Sequence, residues 1–142
     1  MQVNSTYTFG KQERLKSRKA IEQLFSQGRS FSLFPFKIIY QQTGADISAS
    51  EKAAQLRCAF SVSKKYFKKS ADRNRIKRLM REAYRLQKTG LKGTIEKNNQ
   101  LATIFLLYVG NELPEYKLVF DKMGGIIKRL QKIMNEKAPD NT

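Results

Sequence analysis

A strongly basic stretch with helical periodicity, residues 64–88, constrains this chain more than any other part of its sequence. It holds 11 of the 28 Lys and Arg residues but only two acids, Asp72 and Glu82. From residue 72 onward, apolar side chains recur at three- and four-residue intervals, which places them in one stripe of a helix. The stripe consists of Ile76, Leu79, Met80, Ala83 and Tyr84. The opposite face is almost purely cationic, so this helix must pack on an apolar layer and present positive charge outward.

The length and composition favour one folded domain. The chain has 142 residues, of which 40% are hydrophobic, and the apolar runs are spread along it. We predict a single domain over residues 1–142, with a flexible arm at 1–8 and a flexible tail at 136–142. The formal net charge is +16 without any histidine. A small domain this basic repels itself unless a polyanion neutralises it, so the candidate partners are nucleic acid and an anionic membrane surface.

The sequence predicts a reduced, cytoplasmic protein. Its single cysteine, Cys58, has no partner for an internal disulfide. The N-terminus lacks the apolar run of a signal peptide, and no stretch approaches the roughly 18 apolar residues of a spanning helix. We therefore expect no membrane association. Cys58 itself is predicted to be a buried strand residue rather than a reactive thiol.

Hydrophobic patterning predicts an α/β (α+β) two-layer sandwich with the order α-β-β-β-α-β-α. We expect helices at 11–27, ending at Gly28, at 72–88, and after Pro114. Strands are expected at 30–34, 36–41, 56–63 and 101–109, the last covered on both faces because it is almost continuously apolar. Loops are expected at 42–54 and 89–100. The pair Gly124-Gly125 indicates close packing or a bend in the last helix.

The strand at 56–63 alternates between an apolar and a small, polar face. Leu56, Cys58, Phe60 and Val62 point one way, whereas Arg57, Ala59, Ser61 and Ser63 point the other way. A ligand can approach such a small face closely.

The residues needed for protein-borne catalysis are missing from the sequence. Without histidine, imidazole acid–base chemistry and imidazole metal ligation are absent. The carboxylates are scattered and a two-metal nuclease needs several that converge. We therefore predict no catalytic residue, no metal site and no cofactor bound by the protein itself.

Nucleic-acid binding is the function that the basic helix favours. Arginine donates two parallel hydrogen bonds to a phosphate and also stacks on bases. If about six phosphates are contacted, log affinity falls with log salt at a slope near −5. The aromatic residues leave two interpretations open, core packing or stacking on unpaired bases. They are Phe25, Phe34, Phe36 and Tyr40.

Two segments of the sequence, SVSKK at 61–65 and RNRIKRLMREAYR at 73–85, match the motif of a particular protein family. Together they closely resemble the signature of the bacterial ribonuclease P protein component, whose hallmark is the triplet Arg73-Asn74-Arg75. Residues 13–28 are similar to the first helix of that family. FPFKIIY and LATIFLLYV are similar to two of its strands, so the resemblance covers roughly residues 9–135.

The resemblance implies details of the fold and of the function that the composition alone does not imply. The family has an unusual left-handed crossover in its sandwich, against the usual right-handed rule. Its members bind a catalytic RNA and the precursor tRNA, and the complex removes the 5′ leader. Mg²⁺ is then expected at the active site of the RNA, and no obligate protein partner is evident.

The resemblance also assigns residues. The motif helix that contacts RNA holds Arg73, Asn74, Arg75, Lys77, Arg78 and Arg81, and Arg85 continues its basic face. Ser61 and Lys65 match the strand end beside it. We also predict RNA contacts for the neighbouring lysines of the strand end and loop, Lys64, Lys68 and Lys69. The cleft for the single-stranded leader matches Ile21, Phe25 and either Ile39 or Tyr40. Two departures are Ile21, an aromatic in some members, and the connection 66–72, where many members have a glycine and a valine.

Two other classes of protein remain as alternatives. A DNA-binding regulator would place the basic helix in the major groove, but it would be expected to show a helix packed just before the reader, and here a strand and a loop precede it. A ribosomal or other structural RNA-binding protein would be equally basic and equally non-catalytic.

Overall fold

The fold is built on a four-stranded mixed sheet. A computed structural model describes residues 9–44 and 55–137, so the predictions for the arm 1–8, for loop residues 45–54 and for tail residues 138–142 lie outside the described residues. The strands are β1 Arg29–Leu33, β2 Phe36–Gly44, β3 Leu56–Val62 and β4 Gln100–Tyr108. Their order in the sheet is β1-β2-β4-β3. The β1–β2 and β2–β4 pairs are antiparallel, whereas β3 and β4 are parallel.

Four α-helices accompany the sheet. They are α1 Arg18–Gln27, α2 Ser70–Gln87, α3 Thr89–Lys97 and α4 Tyr116–Lys137. The four-stranded sandwich is confirmed, but the prediction of a loop at 89–100 is wrong, so the observed order is α-β-β-β-α-α-β-α. Gly90 and Gly93 suggested a loop, whereas Leu91 and Ile95, four residues apart, bury one side of α3 completely. β3 and β4 are joined through α2 and α3, and the left hand of this crossover stays a prediction.

The first helix begins seven residues later than predicted. Lys11–Glu13 forms a short 3₁₀ helix, and α1 starts only after Ser17, whose hydroxyl oxygen accepts a hydrogen bond from the Ala20 N–H at 3.2 Å. Between them the chain runs along the free edge of β3, where the Leu15 N–H donates to the Cys58 carbonyl at 3.0 Å. The segment 9–15 therefore serves as an edge cover rather than as a helix.

One face of the sheet, here called the covered face, carries the core. It packs against α2, α3 and α4. On β4 the buried residues of this face alternate along the strand, from Ala102 through Ile104 and Leu106 to Tyr108. They meet fully buried side chains such as Met80 of α2 and Ile126 of α4 in one cluster.

Among the described residues, the opposite face, here called the open face, is covered only in part, by α1. The intervening residues of β4 are half-buried, so the prediction that this strand is covered on both faces is wrong for one face. Leu24 of α1 is fully buried, and Phe25 packs edge-on against Phe105 of β4. The apolar open-face side chains explain why the sequence of β4 reads as continuously hydrophobic.

Two glycines allow close approach between elements. A Cβ on Gly28 would lie 2.5 Å from the Leu24 carbonyl oxygen and 2.8 Å from that of Tyr40, so Gly28 ends α1 and lets it sit against β2. A Cβ on Gly124 would lie 2.8 Å from Oε1 of Gln87, which confirms the predicted close packing in α4. In the described ranges, no helix is long and apolar enough to cross a lipid bilayer.

Candidate nucleic-acid interface

The outward face of α2 is a row of exposed cations. Ile76, Met80, Ala83 and Tyr84 are buried, which confirms the predicted apolar stripe. On the other side, Asn74, Arg75, Arg78 and Arg81 are exposed and Lys77 is half-buried. Among the described residues, ion pairs join Glu82 to Arg85, Glu13 to Lys88 and Asp121 to Lys117, and none neutralises Arg75, Arg78 or Arg81. This row is suited to accept phosphate groups.

Arg73 has a structural task that the sequence does not reveal. Its Nη1 donates to the carbonyl oxygens of Phe67 and Lys68 at 2.8 and 2.9 Å. The guanidinium therefore ties the preceding connection to the first turn of α2. The two carbonyls, which both accept from Nη1, therefore set the position of this guanidinium.

The connection before α2 is anchored in the core by an aromatic side chain. Phe67 is buried, and its ring centroid lies 6.1 Å from that of Tyr108. Helix α2 begins at Ser70, two residues earlier than predicted. The four lysines of this region are exposed, and they are Lys64, Lys65, Lys68 and Lys69. Because Phe67 is buried, the connection that carries these lysines is fixed next to the start of α2.

Arg85 differs from the other arginines of α2 because an acid neutralises it. Its Nε and Nη2 donate to the Glu82 carboxylate at 3.2 and 2.7 Å. The hydrogen bond to Arg85 lowers the pKa of Glu82, and the same bond raises the pKa of Arg85. Arg85 is thus the weakest candidate of the predicted set for an RNA contact.

The surface beside α1 on the open face, here called the groove, carries residues of the predicted leader cleft. Phe25 is 53% exposed, and its ring centroid lies 4.9 Å from that of Phe105. Ile39 pairs with Phe105 in the sheet and is half-buried, as is Ile21 of α1. The strand register decides between the two alternatives on β2, because Tyr40 lies on the covered face against Phe31. Tyr40 is therefore removed from the cleft, and Ile39 remains.

Small residues of β3 lie on the open face next to β4, on the side of β4 away from β2. Ala59 pairs with Phe105, and Ser61 pairs with Leu107. Both are half-buried and share the open face with Phe25, so the polar strand face and the exposed aromatic flank the same stretch of β4. Beyond the strand end, the Ser63 hydroxyl accepts a hydrogen bond from the Lys65 N–H at 3.2 Å.

A second depression lies at the edge of β3, between residues 9–16 and α2. It encloses about 420 Å³ and is lined by Phe9, Arg14, Leu15, Lys16, Cys58, Ala59, Phe60 and Arg81. Partial burial lowers the pKa of Arg81, and the charges of Arg14 and Arg78 lower it further. The sequence alone did not place Arg14 and Lys16 beside Arg81, because residues 11–27 were interpreted as one helix. Ser17, a good N-cap residue, was the signal that could have located the true start.

Thiol or carboxylate chemistry at the site would depend on Cys58 and the described acidic residues. Cys58 is 1% exposed, and burial raises the pKa of its thiol well above the usual value, which confirms it as a buried strand residue. Within the described ranges, no three His, Cys, Asp or Glu residues are grouped so that they could hold a metal ion. The absence of a protein-borne active site stays a prediction.

The fold and the surface define a class of protein, a small α+β sandwich with a cationic helix face beside an exposed aromatic side chain. Within the described residues, no ion pair neutralises Arg75, Arg78 or Arg81 on that face. Comparisons with known proteins make the class specific. The family model described as Ribonuclease P matches residues 9–131. The ribonuclease P protein component of Porphyromonas gingivalis is 37% identical over 119 residues, which cover 82% of this chain and 83% of that protein. The component of Chlorobium phaeobacteroides is 33% identical over 128 residues, covering 85% and 86% respectively.

Solved structures show the same fold. The ribonuclease P protein of Thermotoga maritima superposes with a TM-score of 0.59 at 24% identity, covering 82% of this chain and 96% of that one. That of Staphylococcus aureus gives 0.58 at 17% identity, covering 82% and 94%. The chain belongs to the ribonuclease P protein component family.

Proposed function

We propose that this chain is the protein subunit of ribonuclease P. It binds the catalytic RNA through the outward face of α2 and holds the 5′ leader of precursor tRNA in the groove beside α1. It thereby supports the endonucleolytic removal of the leader, while Mg²⁺ at the active site of the RNA supplies the chemistry. Family membership supports the catalytic RNA as the partner. The exposed cations and the exposed aromatic side chain support a role of the protein in binding rather than in catalysis.

The row Arg75, Arg78 and Arg81 is the observation that carries this proposal. These guanidinium groups are exposed and have no carboxylate partner among the described residues. Like charges this close on one helix face repel each other, so the free protein is under electrostatic strain that a phosphate backbone relieves. A solvated basic face on an ordinary domain would carry interspersed acids.

Leader binding is supported by the character of the groove. Exposed Phe25 offers a ring for stacking on an unpaired base, and the small side chains Ala59 and Ser61 let a strand approach the sheet. Lys64 and Lys65 stand at the end of β3, where they can neutralise the phosphates of such a strand.

Reconstitution with the cognate ribonuclease P RNA tests the proposal as a whole. Added protein should promote cleavage of precursor tRNA at low Mg²⁺ and leave a 5′-phosphate on the mature end. If the protein neither binds that RNA nor changes cleavage, the proposal is wrong, and a ribosomal or other structural RNA-binding role becomes the better interpretation.

The helix face is tested by paired variants. Arg75→Ala with Arg78→Ala should weaken binding to the RNA and reduce the steepness of the log–log salt dependence by about 1.4 to 1.8, since each lost phosphate contact removes about 0.7 to 0.9. Arg85→Ala is the matched control, because Glu82 already neutralises that side chain. Equal losses in both variants would contradict the assignment of the face.

The groove is tested by two exposed phenylalanines. Phe25→Ala should reduce the preference of the holoenzyme for precursor over mature tRNA, by about fivefold or more for one lost stacking contact. Phe34→Ala is the control, because Phe34 is 71% exposed but lies at the β1–β2 turn, outside the groove. Unchanged discrimination in Phe25→Ala would remove this residue from the leader site.

A further inference from the structure

The depression at the edge of β3 joins cations from two distant parts of the chain. Arg14 and Lys16 come from the N-terminal segment and Arg81 from the middle of α2. The three side chains are exposed, and among the described residues none has a carboxylate within ion-pair distance. The site is thus a concave, positively charged surface rather than a flat row.

The backbone fixes Arg14 at this place. Residue 14 forms a parallel bridge with Cys58, and the next residue donates its N–H to the Cys58 carbonyl. The guanidinium carbon of Arg14 lies 5.5 Å from the centre of the Phe9 ring, which orients the side chain. Phe9 is in turn held edge-on between Phe60 and Tyr84.

The acid next to Arg14 in the sequence, Glu13, pairs with a residue outside the depression. Glu13 precedes Arg14, yet its Oε1 pairs with Nζ of Lys88, a side chain with no exposed surface. Its Oε2 accepts a weak hydrogen bond from the Gly10 N–H at 3.5 Å. Both carboxylate oxygens of Glu13 therefore have other partners, and among the described residues no ion pair neutralises Arg14 or Arg81.

We propose that this depression is a phosphate-binding pocket for RNA, in which Arg14 and Arg81 grip one phosphate group together and Lys16 and Arg78 reinforce the positive potential. Two guanidinium groups can each donate a pair of hydrogen bonds to one phosphate, a geometry that arginine favours. Phe9 and Phe60 also line the depression, so the nucleoside attached to the phosphate can contact their rings. The inference rests on the proposed function, since it assigns a further contact to the same RNA-binding surface.

A double-mutant cycle tests whether the two arginines share one ligand. Arg14→Gln and Arg81→Gln should each weaken binding to the ribonuclease P RNA or to precursor tRNA by about fivefold or more. Each should also reduce the log–log salt dependence by about 0.7 to 0.9. The double variant should lose little more than either single variant, because the phosphate is already released. Arg14→Lys should weaken binding less than Arg14→Gln, since lysine keeps the positive charge but lacks the two parallel N–H donors of the guanidinium.

Arg29→Gln is the matched control for charge, because Arg29 is equally exposed but lies on β1, at the opposite edge of the sheet. Arg29→Gln combined with Arg81→Gln should show simply additive losses. Unchanged melting temperatures would show that all variants are folded. The proposal is overturned if Arg14→Gln weakens binding no more than Arg29→Gln does, or if the losses of Arg14→Gln and Arg81→Gln add in full.

Two arms of the experiment identify the source of the phosphate. A loss of affinity in the binary complex with the ribonuclease P RNA assigns it to that RNA. A loss seen only for precursor over mature tRNA, measured in the reconstituted holoenzyme, assigns it to the leader. If the wild-type protein binds neither RNA, the proposed function fails. If the wild type binds and only Arg75→Ala with Arg78→Ala loses affinity, the pocket alone is wrong.

Discussion

The two faces of the sheet differ in what their side chains do. The covered face of β4 is buried throughout under α2, α3 and α4, whereas the open face is half-buried and only partly covered by α1. Residues 9–15 connect the two, since they run from Phe9 in the helical layer along the edge of β3 toward α1. The difference shows that the covered face stabilises the fold, whereas within the described residues the open face and the cationic side of α2 keep exposed side chains.

The largest expected effect separates the two faces at adjacent leucines of β4. Leu106→Ala on the covered face should lower the free energy of unfolding by about 3 to 4 kcal/mol, because a fully buried side chain leaves a cavity. Leu107→Ala on the open face should cost about 1 kcal/mol, since that side chain is only partly buried. Urea unfolding measures both, and equal losses would contradict the distinction between the faces.

The next effect concerns the segment that connects the faces. Lys88→Met should lower the free energy of unfolding by about 3 kcal/mol, because it leaves the Glu13 carboxylate largely buried without its cation. Adding Glu13→Gln should recover part of the loss. Lys97→Met, at an exposed position of α3, is the control and should change stability by less than about 0.5 kcal/mol. Thermal and urea unfolding of the wild type and the three variants would show whether the pair acts as described.

A smaller effect distinguishes the structural arginine of α2 from those that face outward. Arg73→Ala should cost about 1 to 2 kcal/mol of stability, since it removes two hydrogen bonds from the carbonyls of residues 67 and 68. Arg75→Ala should leave stability within about 0.5 kcal/mol and weaken RNA binding instead. If Arg73→Ala unfolds at the same urea concentration as the wild type, its role in anchoring the connection is refuted.

The smallest effect is a pH dependence at the far end of α2. The hydrogen bond from Arg85 lowers the pKa of Glu82. A carboxylate whose pKa is lower in the folded state stabilises the fold above its unfolded pKa, and this contribution is lost as the pH falls through the folded pKa. The melting temperature should therefore fall slightly less between pH 6 and pH 3 in Glu82→Gln than in the wild type. Identical profiles would show that the pair contributes nothing to stability.

Much of the fold could be predicted from local patterns. The apolar stripe from Ile76 to Tyr84, the alternation of β3 and the close packing at Gly124 depend on period and residue size, which are properties of short segments. The same kind of pattern gave wrong predictions where a local sequence was compatible with two structures. Gly90 and Gly93 indicated a loop although Leu91 and Ile95 supply enough burial for α3. The charged run 11–17 read as helix although hydrogen bonds to β3 hold it along the sheet edge.

The basic stretch at 64–88 shows where the sequence is sufficient and where it is not. By itself it determined that one helix would bury an apolar stripe and present arginines, because helical spacing fixes which residues share a face. Only the tertiary structure decided which cations remain available. Glu82 neutralises Arg85 within the helix, two loop carbonyls engage Arg73, and Lys88 diverts Glu13 from Arg14. The Glu13–Lys88 contact joins residues 75 positions apart, and such contacts arise from the packing of the whole chain rather than from the period of any one segment.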